Sequence, residues 1–103
     1  MIEVAWSRDR QGKVVGFTVT GHAGYAEAGA DIVCAGVSAI TLTAVLGLRD
    51  VLGCDGTYAT EDGRLTVRLK TAPDGRATVV IQTMQAGLRE LARQYPHYVF
   101  ISK

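Results

Sequence analysis

Arg76-Ala77-Thr78-Val79-Val80-Ile81-Gln82-Thr83-Met84-Gln85-Ala86-Gly87-Leu88-Arg89-Glu90-Leu91-Ala92-Arg93-Gln94-Tyr95 is the stretch on which the fold turns. Its first half is rich in β-branched residues, as a strand would be. As a strand, Ala77 to Thr83 would pair back on its neighbour as a further hairpin. Against that stands the spacing of Ala77, Ile81, Met84, Leu88, Leu91 and Tyr95. Steps of three and four residues put all six on one side of an α-helix, and a seam sustained over about five turns outweighs local propensity. The spacing predicts a helix from Arg76 to Gln94. Pro96 then begins a short final strand, Tyr98 to Ile101.

Working back toward the N-terminus, Asp62-Gly63 lies between Thr57–Thr60 and Arg64–Leu69, a strong hairpin signal. Leu65, Val67 and Leu69 give the second of those strands a clean apolar face. Asp31 opens a second helical pattern that runs to about Leu52. Asp is a favoured N-cap because its carboxylate accepts hydrogen bonds from the orphan N–H groups of the first turn. Val33, Val37, Ile40, Ala44, Leu48 and Val51 form its stripe, and Gly53 sits where a helix-ending glycine belongs. Ile32, Leu42, Val45 and Leu46 fall on its other faces. Such a helix is either sandwiched in the fold or covered by a second subunit. Ile2–Ser7 and Val14–Thr20 alternate as half-buried strands, with Val15, Phe17 and Val19 on one face, and read as a hairpin. The sum is an α+β domain spanning 1–103, ordered ββαββαβ, with two helices on one face of a mostly antiparallel sheet.

The chain has 103 residues, 48% hydrophobic and 20% charged, with a formal net charge of +1. That balance offers no electrostatic case for nucleic acid or an anionic membrane. No apolar run approaches the roughly 20 residues needed to cross a bilayer. Met1-Ile2-Glu3-Val4 lacks the basic and apolar regions of a signal peptide. The expected location is cytoplasmic, and the two cysteines there read as thiols. Cys34 and Cys54 form no CxxC pattern, and with only His22 and His97 beside them neither a closed zinc site nor another cofactor is expected.

Chemistry concentrates between Gly21 and Ile40. With Asp31 as N-cap, Cys34 is the third helical residue. A thiol there feels the positive end of the helix dipole and the unsatisfied N–H groups, which favour thiolate. The same N–H groups are candidates to hold an oxyanion. His22, at a strand end, is placed to take the thiol proton and later protonate a leaving amine. Asp31 either orients His22 or simply caps the helix. Ser38, four residues past Cys34, shares its helix face. Each of these residues also has a purely structural reading. A buried Cys in an apolar helix commonly acts as a small hydrophobe. A His at a strand end is commonly a satisfied surface residue, and Ser38 suits a small-residue packing run. Cys54 reads as an incidental turn residue. His97 and Tyr98 read as shaping entry into the last strand.

The run from Gly21 to Ile40 resembles the signature of the ribosomal-processing cysteine protease family. That signature is GHA, a short glycine-containing spacer, then GxDIVCAxxSA. The matching pieces are Gly21-His22-Ala23, Gly29-Ala30-Asp31-Ile32-Val33-Cys34-Ala35 and Ser38-Ala39. The resemblance implies a homodimeric cysteine endopeptidase. Its substrate would be the N-terminal peptide of a large-subunit ribosomal protein precursor, cut after an aromatic residue. It makes Cys34 the nucleophile and His22 the general base, with Asp31 and Ser38 in support. The segment Gly24 to Ala30, with Gly24, Tyr25 and Gly29, would be a mobile cover over substrate. The alternative is a ribosome-associated binding module or a dimerisation domain without turnover.

Overall fold

The computed structural model describes residues 1–21 and 31–102. In chain order it has β1 (Ile2–Arg8), β2 (Val14–Thr20), α1 (Ile32–Leu46), a π-helical turn (Gly47–Val51), β3 (Gly56–Glu61), β4 (Arg64–Leu69), α2 (Gly75–Gln94) and β5 (Val99–Ile101). This is the expected α+β order, ββαββαβ. The strands form one sheet in the order β3-β4-β2-β1-β5. Every pairing is antiparallel except β1 with β5, which is parallel.

One sheet face carries Ile2, Val4, Phe17, Val67, Leu69 and Val99, all buried. They pack in a single core with Val33, Val37, Ala44 and Leu48 of the first helix, and Ala77, Ile81, Met84 and Leu88 of α2. The α2 seam is thus buried along its first four positions, and Leu91 and Tyr95 pack against it half-buried. Packing, not β-propensity, decides this segment. Asp74 caps α2 by accepting from the Ala77 N–H at 2.9 Å. The helix pair approaches closely at glycine: a Cβ on Gly36 would stand 3.2 Å from a Leu91 methyl.

Two expectations need correction. In β2 the buried pair is Val14 and Phe17, not Val15 with Phe17. Ser7 pairs with Gly16 but Arg8 pairs with Val14, so Val15 is an extra residue on its strand. Such a bulge flips the inward–outward alternation beyond it. Trp6 and Phe17 then meet edge to face on the core side, ring centroids 6.1 Å apart. In the first helix the path does run on to Val51, but the last turn is π-helical, with the Leu52 N–H bonded to the Gly47 carbonyl. The wider turn takes Val51 off the stripe and leaves it 79% exposed. Gly53, at φ +67°, ends the helix as expected.

The absence of a long apolar run also needs qualification. By length and composition alone, the helical stretch Ile32–Val51, mean hydropathy 1.9, is apolar enough to cross a membrane. Scattered Ser, Thr and Gly interrupt the apolar run without bringing its mean hydropathy below that of a membrane-spanning stretch. In this fold the same stretch supplies Val33, Val37, Ala44, Val45 and Leu48 to the core.

Candidate active site

Asp31 has extended backbone and begins α1. Its Oδ1 accepts from the N–H of Val33 at 2.9 Å and of Cys34 at 3.0 Å. The Ala35 N–H then bonds the Asp31 carbonyl at 3.1 Å, the first helical bond. The cap is buried, at 7% exposure. Cys34 therefore occupies the third helical position, as its spacing predicts, with its backbone tied directly to the Asp31 carboxylate. This corrects the expectation for an oxyanion: the N–H groups of Val33 and Cys34 are already donated to Asp31.

The Cys34 side chain is half-buried and faces a cleft of about 310 Å³. Helix α1 forms one wall with Val37, Ser38 and Thr41. The sheet supplies Ile2 and Val19, and the β3–β4 hairpin closes the far side with Thr60 and Leu65. Among the described residues no charged side chain lines it. Thr41 is buried and donates its hydroxyl to the Val37 carbonyl at 2.9 Å, so its own donor is met within the helix. The hairpin reaches this position through Asp62 and Gly63, both at positive φ, the turn that DG predicts. Gly21, also at positive φ, stands at the mouth with the strand end that leads to position 22.

Of the residues singled out in the sequence, Cys34 and Ser38 are brought together on this cleft. Asp31 acts from the side as the cap. His22, Gly24, Tyr25 and Gly29 lie outside the described residues. The cleft walls Thr41, Thr60 and Leu65 carried no local signal of function; the apolar face of β4 was legible, but not what would stand opposite it. Cys54 lies beyond the other end of the helix, where its carbonyl accepts from the Tyr58 hydroxyl at 2.8 Å. Burial pushes the Tyr58 phenol up, and the neighbouring Cys54 adds to that. Among the described residues no three His, Cys, Asp or Glu side chains gather as a metal centre would.

Residues 1–100 match the family model described as cysteine protease Prp. The chain belongs to the Prp family of cysteine proteases. Prp-family relatives agree with it over nearly their whole length. The ribosomal processing cysteine protease Prp of Staphylococcus aureus (strain NCTC 8325 / PS 47) is 33% identical over 98 residues, covering 92% of each chain. The protein of that name from Bacillus subtilis (strain 168) is 32% identical over 103 residues, covering 92% of this chain and 90% of its own. Among solved structures, the essential ribosomal processing protease Prp from S. aureus with a covalently linked product peptide superposes at TM-score 0.85 and 29% identity. The complex of that protease with a substrate peptide gives 0.86 and 27%. Both alignments cover 99% of this chain and 98% of the other. The α+β architecture is the Prp architecture, and this Prp chain is a cysteine peptidase by family.

Proposed function

We propose that this chain is a cysteine endopeptidase that removes the short N-terminal extension of a large-subunit ribosomal protein, cutting after an aromatic residue. Cys34 is the nucleophile and His22 the general base. The observation that carries the reading is the half-buried Cys34 thiol at the edge of a cleft of about 310 Å³ whose described lining is uncharged. An aromatic side chain fits a space of that size and lining, and its carbonyl would then lie beside the thiol. The names of the relatives support ribosomal processing, and the two peptide complexes of the S. aureus protein support a peptide substrate.

The chemistry follows from the residue types. His22 takes the Cys34 proton and the thiolate attacks the scissile carbonyl carbon. The tetrahedral adduct collapses to a thioester as the imidazolium protonates the leaving amine. Water, deprotonated by His22, then releases the acid and restores the thiol. Asp31 supports this by fixing the backbone of Cys34, and Ser38 shares the cleft wall one helical turn on. The same reading makes the protein a cytoplasmic homodimer. Ile32, Leu42 and Leu46 remain exposed along α1, an apolar surface suited to a partner.

Mass spectrometry of such an N-terminal extension peptide tests this. Wild-type chain should make one cut, after an aromatic residue. Cys34→Ala and His22→Ala should each lose on the order of 10³-fold or more in rate while staying folded. Cleavage retained in Cys34→Ala would overturn the assignment.

A further inference from the structure

The two edges of the sheet are unlike. β5 forms one and is 3 residues long; β3 forms the other and is 6 residues long. Natural sheets blunt an exposed edge by shortness, proline, lysine or a bulge. β5 is short. β3, Gly56-Thr57-Tyr58-Ala59-Thr60-Glu61, contains no proline and no lysine, and its register with β4 runs unbroken from Gly56–Leu69 to Glu61–Arg64. Its single charge, Glu61, stands at its last position.

The ladder decides which backbone groups of this edge are free. The Lys70 N–H bonds the Asp55 carbonyl at 2.9 Å. Hydrogen-bonded and non-hydrogen-bonded pairs alternate along an antiparallel ladder. Counting from that bond, Thr57, Ala59 and Glu61 turn N–H and C=O toward β4. Tyr58 and Thr60 turn theirs outward. Among the described residues no strand pairs with that side of β3.

The free edge runs into the Cys34 cleft. The Thr60 side chain lines the cleft together with Leu42 of α1. Further along the same helical path, Arg49 lies over the Tyr58 ring, its guanidinium carbon 5.9 Å from the centroid. The helical path therefore follows β3, with Leu42 beside Thr60 and Arg49 beside Tyr58. The side chains of Tyr58 and Thr60 stand on the helix side of the sheet, opposite Val67 and Leu65. A strand added to this edge would continue the pleat and send alternate side chains to that same side.

We propose that the substrate peptide binds as an added strand on the outer edge of β3, with the N–H and C=O groups of Tyr58 and Thr60 as its main-chain partners. This rests on the peptidase reading above and deepens it. Tyr58 and Thr60 together offer two donors and two acceptors, which hold an extended chain whatever its side chains. One inward-pointing side chain of that chain enters the cleft, and the pleat fixes its carbonyl beside the Cys34 thiol. Main-chain pairing supplies affinity and the cleft supplies choice. An edge kept free of proline, lysine and bulges is what such a substrate requires. Tyr58 and Thr60 are thereby positioning residues, acting through their backbone.

The test uses the full-length Cys34→Ala chain, labelled with ¹⁵N, and a fluorescent extension peptide that the wild-type chain cuts. Without peptide, the Tyr58 and Thr60 amides should exchange fast and the Ala59 amide slowly. Saturating peptide should slow Tyr58 and Thr60 by about tenfold or more and leave Ala59 unchanged. Peptides N-methylated at one amide each should alternate: every second position weakens binding about fivefold or more, the loss of one hydrogen bond, and the positions between stay within about twofold. Thr60→Pro deletes an outward N–H, which an edge strand tolerates. It should weaken binding about tenfold, whereas Thr60→Val, which keeps that N–H, stays within about twofold. If Thr60→Pro does not fold, the exchange and N-methyl series decide alone. Peptide that binds without slowing Tyr58 and Thr60, or without alternation, overturns the added strand and leaves the peptidase reading intact. Absence of any cut by wild type overturns both. Protection of Tyr58 and Thr60 that rises with chain concentration, without peptide, assigns the edge to a second copy and overturns the proposal.

Discussion

The two helices begin alike and end up doing different work. Each opens on an aspartate whose carboxylate accepts from the backbone of its first turn, and each sends a stripe into the same core. Their outer faces diverge. That of α2 is mostly polar, with Arg93 bonded to Glu90 at 2.8 Å, although Val79 is 61% exposed. On α1, Leu42 is 57% exposed, with Ile32 and Leu46 also bare. A helix whose only task is packing needs one apolar face. The surplus on α1 is not required by that packing, and the cysteine in its first turn is at one end of it.

The sharpest way to break this contrast is to truncate one leucine on each helix. Leu88, fully buried on α2, should cost about 3 kcal/mol on replacement by alanine, through lost transfer energy and the cavity left behind. Leu42→Ala should change folding stability by less than about 0.5 kcal/mol. Leu42 also lines the Cys34 cleft, so this variant should raise KM for the peptide. Urea unfolding measures the first effect and steady-state cleavage the second. A Leu42→Ala chain as destabilised as Leu88→Ala would mean that the outer face of α1 is structural after all.

The same division explains what was legible in the residues. Wherever burial alone sets the structure, periodicity tells it: the seam of α2, the face of β4 and the start of α1 at Asp31 all follow from spacing and capping. The DG turn follows from the need for two positive-φ residues. Where a single backbone insertion resets the phase, periodicity misleads, because nothing in side-chain composition marks the insertion. Val15 in the bulge and Val51 at the end of the π-helical turn are both apolar residues that fit the pattern and lie off it. At the site, the motif around Cys34 was visible because its residues are close in sequence. The cleft was not, because its walls come from three separate parts of the chain.

The caps offer a smaller and cleaner comparison. Asp31 is buried and serves two N–H groups, whereas the Asp74 side chain is 62% exposed and serves one. Asp31→Ala should lose about 1–2 kcal/mol, the range for a good cap, and toward its upper end because the abandoned Val33 donor is buried. Asp31→Asn keeps an acceptor in place and should recover most of that stability. A cleavage rate that recovers with it identifies Asp31 as a cap that positions Cys34. A rate that stays low in the stable Asn variant assigns the charge itself a part in the reaction.

Asp74 should show its contribution through pH. The Ala77 N–H holds its carboxyl below the usual 3.8 against the opposing effect of desolvation, and the nearby Arg76 adds to the lowering. A carboxyl depressed in the folded state stabilises the fold above its unfolded pKa and loses that contribution as pH falls through the folded one. The difference in stability between wild type and Asp74→Asn should therefore be present at pH 5 and shrink steadily below about pH 4. Because the group is solvated, added salt should shrink the part due to Arg76 and leave the part due to the Ala77 hydrogen bond. Urea unfolding of both chains between pH 5 and pH 2.5, at low and high salt, reads each part. A difference that stays constant in acid would show that Asp74 caps α2 equally well when protonated. The contrast between the two helices would then rest on the burial of Asp31 and on the outer faces alone.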